Sequence, residues 1–450
     1  MGGRGWGSVA LVALLALALR AAIFFAVGFN PAFFDADGYH AQALEGLAGR
    51  PVPTDGHPPG YPWFLMAIYR IAGPRPRIVY AIQVLLSAAA VFLAGDAARR
   101  RFGPRAGVLT AALLATSGIL AFYPSLLVSE NLCLLGVAGI AWLLLPDHPE
   151  VSPARLLCCA VIVAGLALTR TGLLLLALPL VAIPFFDAIR RRQARGLALA
   201  ALTLAVATAP ALAYSWHRAG RTGTFRLGSP ADTQSLYFGN NPNATGRTEW
   251  FPEAQPGTPE APDYESLARI LGPKARTYFL THPLREADLF LRRASFNFAP
   301  NKRDIIYLYG HGWAGERSPG TLNALYVWIA VGVPVLGAAV LLALARSPRE
   351  GALRLALLLV FLGVLPYQVS VGDARYLIPF HPLLAFAAGA LAASPPSPGQ
   401  WPARMRLAAA VLAIAFLGNA AYDVWKTDGA LRKVTQPGGS RLRPPYIFAR

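Results

Sequence analysis

The sequence predicts an all-α polytopic membrane protein of about eleven transmembrane helices (roughly 10–13) with an extracytoplasmic, mainly helical loop domain. Three observations predict it. Hydrophobic residues fill 55% of the 450 positions and charged residues only 14%, against about 25% charged in soluble domains; mean hydropathy is +0.44. Apolar stretches close to the ~20 residues that cross a bilayer recur along the chain. Arginine clusters stand between them at alternate ends, the positive-inside pattern that orients membrane helices.

The apolar stretches lie at about 8–29, 78–97, 106–124, 127–146, 155–170, 171–187 and 197–215, then at about 321–345, 352–370, 376–393 and 406–423. The first has signal-peptide features, with Arg4 ahead of it and small residues at Ala21 and Ala22. Its apolar run resumes after Arg20 and reaches Phe29, which favours a retained helix. The clusters are Arg99, Arg100, Arg101 and Arg105; Arg190, Arg191, Arg192 and Arg195; Arg346, Arg349 and Arg354; and Arg404 with Arg406. Placing them in the cytoplasm divides the chain into a membrane module at 1–215 with a first external loop at 30–60, an external loop domain at 216–320, and a second membrane segment at 321–423. A polar tail at 424–450 falls outside by the same count, despite its basic residues.

In the long loop, Leu267, Ile270, Leu271, Ala275, Tyr278 and Phe279 repeat at helical spacing, predicting a helix over 263–281. His282-Pro283 ends it, and 284–298 reads as a second amphipathic helix. The net charge of +18 lies between membrane segments and so reports topology; no nucleic-acid partner is expected. The cysteines, Cys133, Cys158 and Cys159, sit in apolar stretches as small hydrophobes. P-loop, His-Glu-x-x-His and zinc-type cysteine motifs are absent, and no cofactor is required by the sequence.

The external segments hold the candidate chemistry. Asp35 and Asp37, in Phe33-Phe34-Asp35-Ala36-Asp37-Gly38-Tyr39, are carboxylates set beside a bilayer, where an ionisable group is expensive. One can accept a proton from an attacking hydroxyl, and the other can orient it, hold a divalent cation or contact a sugar. His57-Pro58-Pro59-Gly60-Tyr61-Pro62 is a stiff turn that folds the loop back on the membrane. Glu130 opens a helix between apolar neighbours, facing the bundle interior or a wet cavity, and is with Asp37 the candidate for a metal. Arg170 and Arg375, the latter followed by Tyr376, are cations at external helix ends suited to phosphate. Arg20, inside the first helix, can likewise reach a lipid phosphate. Asn240 and Asn241, in Gly239-Asn240-Asn241-Pro242, belong to a turn whose amides can bind sugar hydroxyls.

These motifs, in this order, resemble the multi-spanning glycosyltransferases of the C-fold superfamily, in particular the branch of protein O-mannosyltransferases and the lipid A aminoarabinose transferase. The matching elements are the acidic segment Asp35 to Tyr39, the His57–Pro62 turn, Ser129-Glu130, Thr169-Arg170, the Gly-Asn-Asn-Pro loop, and Arg375-Tyr376 with Pro379 and Pro382. The resemblance implies an inverting membrane glycosyltransferase, hexosyl- or pentosyl-transferring, that moves sugar from a polyprenyl-phosphate donor to a lipid, glycan or protein acceptor outside the cytoplasm. Asp35 best matches the family's catalytic aspartate by its distance from Tyr39, with Asp37 close behind. Arg375 and Arg170 then attend the phosphate, while Glu130, Tyr39, His57, Tyr61, Tyr376, Asn240 and Asn241 line the substrate site. The family's acidic pair is usually adjacent; here Ala36 separates the acids. The external domain is also shorter than in eukaryotic protein mannosyltransferases. Alternatives are a transporter or flippase of lipid-linked sugars, and a glycan ligase or polymerase of the same superfamily. Heavy use of Ala, Arg, Gly and Pro suits a GC-rich bacterial genome, and so a multi-pass protein of the bacterial inner membrane whose site faces the extracytoplasmic side.

Overall fold

The computed structural model describes residues 5–26, 35–50, 57–249, 251–299, 317–346, 350–393 and 402–434. Every one of the apolar stretches read from the sequence falls on a helix, and the described residues contain no strand. In chain order, α1 is Trp6–Ala26, α2 Asp35–Leu47, α3 Gly60–Ala72, α4 Pro76–Phe102, α5 Pro104–Ala115, α6 Gly118–Phe122, α7 Glu130–Leu144, α8 Pro153–Thr169, α9 Ala177–Arg191 and α10 Ala194–Thr222. The long segment after α10 adds α11 (Pro230–Gly239), α12 (Tyr264–Thr281) and α13 (Pro283–Phe298). The chain then forms α14 (Pro319–Arg346), α15 (Gly351–Val369), α16 (His381–Gly389) and α17 (Ala403–Val434).

Among the described residues, seven helical segments are long and apolar enough to span a membrane, or eight when α5 and the segment from Gly118 to Ser125, bent by 65°, count as one broken span. α7 and α8 are shorter apolar helices. α4 is lined with small residues, including Ala90, Ala94, Gly95, Ala97 and Ala98, which let α1, α5 and α7 approach closely. α16 lies at the centre, with all nine of its residues buried.

The two ends of the bundle differ in charge. At one end Arg99 pairs with Asp96 at 2.8 Å and Arg100 with Asp147 at 3.2 Å, while Arg155 also reaches Asp147 and Arg101 reaches Glu350. Arg346 donates to the Ala393 carbonyl at 3.1 Å, near the same end of α16. Asp35, Glu130, Arg170 and Arg375 gather at the other, so the sorting of residues to opposite faces read from the arginine clusters is realised in the packing.

Four departures from the sequence reading have physical causes. Asp35 to Leu47 is helix rather than loop, because both acids sit in its first turn, where the helix dipole favours them. α3 is an unforeseen helix, since its thirteen residues fall short of a span and follow two prolines. α10 runs on to Thr222, past the boundary at 215, and α17 continues to Val434, through the start of the segment read as a polar tail, because helix propagates readily once nucleated. Arg20 does not reach a lipid phosphate: it is fully buried. Residues 30–34 and 51–56 of the first loop, with Asp55, and 435–450 of the tail lie outside the described residues.

The helices of the long loop follow the expected pattern. α12 and α13 occupy the two predicted segments, broken at His282. Capping boxes fix two helix starts, Ser229 with Asp232 for α11 and Asp263 with Ser266 for α12. α11 ends against the membrane bundle so closely that a Cβ on Gly239 would lie 1.6 Å from the Ser370 carbonyl oxygen. Gly239→Ala is therefore expected to destabilise the protein by at least about 1–3 kcal/mol, the range for overpacking, read as a lower unfolding temperature in detergent; an unchanged transition would contradict this packing.

Candidate active site

Residues two apart on a helix do not share a face, and this separates the acidic pair. Asp35 turns inward, its Oδ2 accepting from Arg375 Nη1 at 2.9 Å; Asp37 is exposed. Tyr39, one turn on, follows Asp35 into the core, with its hydroxyl 3.5 Å from Ser129 Oγ. Burial and then the charge of Asp35 push that hydroxyl's pKa well up, so it remains a donor.

His57 lies against Tyr39, ring centroids 4.7 Å apart, and Tyr61 meets Tyr39 edge-on at 4.8 Å. The start of α3 reaches them because Gly60 packs on the end of α8, where a Cβ would fall 2.6 Å from Thr169 Oγ1. Tyr61 is fully buried and donates to Gln83 Oε1 at 2.7 Å. The Gln83 amide donates in turn to the Pro124 and Leu126 carbonyls at 2.9 and 2.7 Å.

A second ion pair lies deeper. Glu130, the first residue of α7, is 1% exposed, and its Oε1 accepts from Arg170 Nη2 at 2.5 Å. Arg170 follows α8 in extended conformation, which turns its side chain across the bundle. Its Nε donates to Ser129 Oγ at 3.0 Å and its Nη1 to Tyr367 Oη at 3.2 Å. Tyr367 stacks on Tyr376, centroids 4.0 Å apart and planes within 7°. The guanidinium carbons of Arg375 and Arg170 stand 5.2 and 5.8 Å from the centre of the Tyr376 ring, within cation–π range. The site is thus two ion pairs joined by an aromatic stack, one pair buried and the other with its carboxylate 30% exposed.

The structure brings together Asp35, Tyr39, His57, Tyr61, Glu130, Arg170, Arg375 and Tyr376 from the sequence candidates. Asp37 stays outside this group. Asn240 and Asn241 also differ from their expected role on sugar hydroxyls. Both are buried: the Asn240 amide donates to the Leu236 and Val369 carbonyls and ties the turn to the bundle, and the Asn241 amide donates to the Tyr237 and Phe238 carbonyls and closes the end of α11. No group of three or more His, Cys, Asp or Glu side chains that could hold a metal occurs among the described residues. With Glu130 neutralised by Arg170 and Asp37 turned outward, that pair does not fit a divalent cation.

Sequence reasoning missed Arg293. It is 1% exposed, pairs with Glu286 at 3.1 Å, and donates to the Gln368 carbonyl at 2.9 Å and the Gly239 carbonyl at 2.5 Å. Asn297, one turn on, accepts from the Asp373 backbone N–H at 2.9 Å, and Asp373 Oδ1 accepts from the Arg375 N–H at 3.0 Å. α13 thereby fixes the backbone that carries Arg375. The signal was available: Glu286, Leu289, Arg293 and Asn297 share the buried face of a predicted amphipathic helix.

Residues 56–214 match the protein family described as dolichyl-phosphate-mannose-protein mannosyltransferase. That segment, about a third of the chain, holds His57, Tyr61, Glu130 and Arg170, and over it the expected resemblance to protein mannosyltransferases is met. No protein of curated function matches the chain significantly. Among solved structures, the chain is similar to ArnT from Cupriavidus metallidurans bound to undecaprenyl phosphate, at 17% identity and a TM-score of 0.46, covering 95% of this chain and 73% of that one. It is also similar to the Archaeoglobus fulgidus oligosaccharyltransferase tethered to an acceptor peptide, at 13% identity and a TM-score of 0.47, covering 95% of this chain and 55% of that one.

Arg170→Met leaves the Glu130 carboxylate buried without its cation, and is expected to cost about 3–5 kcal/mol. The double variant Glu130→Gln/Arg170→Met, which removes both charges, should recover part of that loss. Thermal unfolding of the detergent-solubilised variants measures both; equal stability of the two variants would show that the pair is not coupled.

Proposed function

We propose that the protein is an inverting membrane glycosyltransferase that takes sugar from a polyprenyl-phosphate donor, with Asp35 as general base. One observation carries the reading: Asp35 and Arg375, 340 positions apart in sequence, meet at 2.9 Å in a partly open site. The family match over 56–214 supports the reaction class. The end of the bundle that holds Asp35 and Arg375 lies opposite the end with the arginine clusters, and by the positive-inside rule it faces out of the cytoplasm. Nucleotide sugars are not available there, so the donor is lipid-carried and reaches the site from the bilayer.

A phosphate leaving group is a weak base and needs no general acid, unlike the alkoxide that a glycosidase must expel. One carboxylate and one cation then suffice. In the resting site Arg375 neutralises Asp35. Donor binding draws the guanidinium to the phosphate, with which it can form two parallel hydrogen bonds, and frees the carboxylate. Asp35 accepts the proton of the acceptor hydroxyl as that oxygen bonds to the anomeric carbon. The bond from that carbon to the phosphate oxygen breaks, and its electron pair leaves with polyprenyl phosphate. Arg375 stabilises the developing charge. Arg170, already bound to Glu130, Ser129 and Tyr367, holds the site's shape and adds positive potential. Tyr39 and His57 border Asp35 and offer hydrogen bonds to sugar hydroxyls.

Purified protein is to be incubated with a panel of radiolabelled polyprenyl-phosphate monosaccharides and an envelope extract as acceptor source. Wild type should turn over one donor. Asp35→Asn should lower transfer by about 10²–10⁴-fold, the usual worth of a general base, while Asp37→Asn stays within a few-fold of wild type. Equal loss in the two variants would reassign the base, and undiminished transfer in Asp35→Asn would remove the mechanism.

A further inference from the structure

We infer that Arg20, in the membrane interior and outside the site, is a positioning residue that holds the broken span leading to Ser129 and Glu130. The consequence for turnover rests on the proposed function; the structural part does not.

A helix interrupted inside a bilayer leaves backbone carbonyls without partners, where no water can satisfy them. α5 ends at Ala115 and the chain resumes in α6 at a 65° angle. Arg20 is 0% exposed and sits beneath this break. Its Nη2 donates to the Leu114 carbonyl at 3.0 Å, and its Nη1 to the Ala115 carbonyl at 3.4 Å and the Ala16 carbonyl at 3.2 Å. Its Nε donates to Ser87 Oγ at 2.8 Å. All four contacts go to neutral oxygens, and two are carbonyls released where α5 stops.

The rest of the irregular segment is caught in the same way. Ser87 donates onward to the Leu120 carbonyl at 3.4 Å. Gln83, one turn before Ser87 on α4, holds the Pro124 and Leu126 carbonyls, and Asn131 donates to the Tyr123 carbonyl at 2.9 Å. Arg20, Ser87 and Gln83 between them therefore engage five carbonyls from 114 to 126. The segment delivers Ser129 and Glu130, the two groups at the start of α7 that bind Arg170. A guanidinium suits this position because its donors diverge in a plane and stay charged. Lysine offers one compact head and cannot span Ser87, Leu114 and Ala115 together.

The native cysteines provide the test. Cys133 is buried at the first turn of α7, its N–H bonded to the Ser129 carbonyl at 3.1 Å; Cys159 is buried on α8, and Cys158 is exposed. The full chain in nanodiscs is treated with a membrane-permeant maleimide, and each site is quantified by peptide mapping. Wild type should leave Cys133 and Cys159 unlabelled. Arg20→Met should raise labelling of Cys133 about tenfold or more with Cys159 still protected, and Arg20→Lys should give an intermediate result. Ser87→Ala removes one link and gives the same contrast in milder form where Arg20→Met fails to fold. Protection of Cys133 equal to wild type overturns the inference. So does joint exposure of Cys133 and Cys159, which would make Arg20 a general determinant of folding. With an active donor, kcat should fall in Arg20→Met while the donor KM stays within about twofold. Labelling needs no turnover, so absence of transfer by wild type would count against the proposed function alone.

Discussion

The constraint on which this structure depends is that a bilayer offers no water to a broken helix. The site needs irregular backbone close to the membrane: the ends of α8 and α15, the start of α7, and the 3₁₀ segment Ala374–Phe380 all converge there. Two interruptions are matched by buried polar side chains aimed at the released carbonyls. Arg20, Ser87 and Gln83 serve the break after α5, and Arg293 with Asn240 serves the end of α15. These polar residues determine where the chain can bend, and hence where Arg375 and Glu130 can stand.

Two ion pairs occupy the site, and their surroundings give them different roles. Glu130 and Arg170 are sealed in and share further bonds with Ser129 and Tyr367, so separating them leaves a charge with no route to water. Such a pair fixes geometry. Asp35 keeps a partly open carboxylate and is held by Arg375 through one bond of 2.9 Å. An incoming phosphate can compete for that arginine at far lower cost. The Tyr367–Tyr376 stack lies between the pairs and gives both guanidiniums an aromatic face, which keeps the cations near each other despite their repulsion.

How much of this was legible in the sequence follows from the range of the interactions involved. Apolar stretches and arginine clusters report local free energies, so the helices and the sorting of chemistry to one end could be read directly. Glu130, Arg170 and Arg375 were visible as charges that a membrane protein does not bury without cause. The separation of Asp35 from Asp37 was hidden because the segment was read as a loop; at helical spacing the same residues fall on opposite faces. Asn240 and Asn241 were misplaced because an amide that caps a turn and one that binds sugar look alike until its partners are known. Arg20 and Arg293 act on carbonyls far along the chain, such as Leu114 and Gln368, and backbone carbonyls leave no trace in a sequence.

The Asp35–Arg375 contact also bears on specificity for the donor. A carboxylate paired with arginine is a poor base, so a hydroxyl reaching the empty site meets a base already neutralised. Only a ligand carrying an anion of its own can take Arg375 away, and a phosphate does so with matched bidentate geometry. On the proposed mechanism, the group that identifies the donor is then the group whose binding activates the base. Water entering without a donor finds Asp35 occupied. The pairing thus keeps the base idle until a donor is bound, and it requires that Arg375 be anchored through its backbone rather than its side chain. Its N–H donates to Asp373, which Asn297 holds in turn, so the guanidinium can change partners while the chain that carries it stays in place.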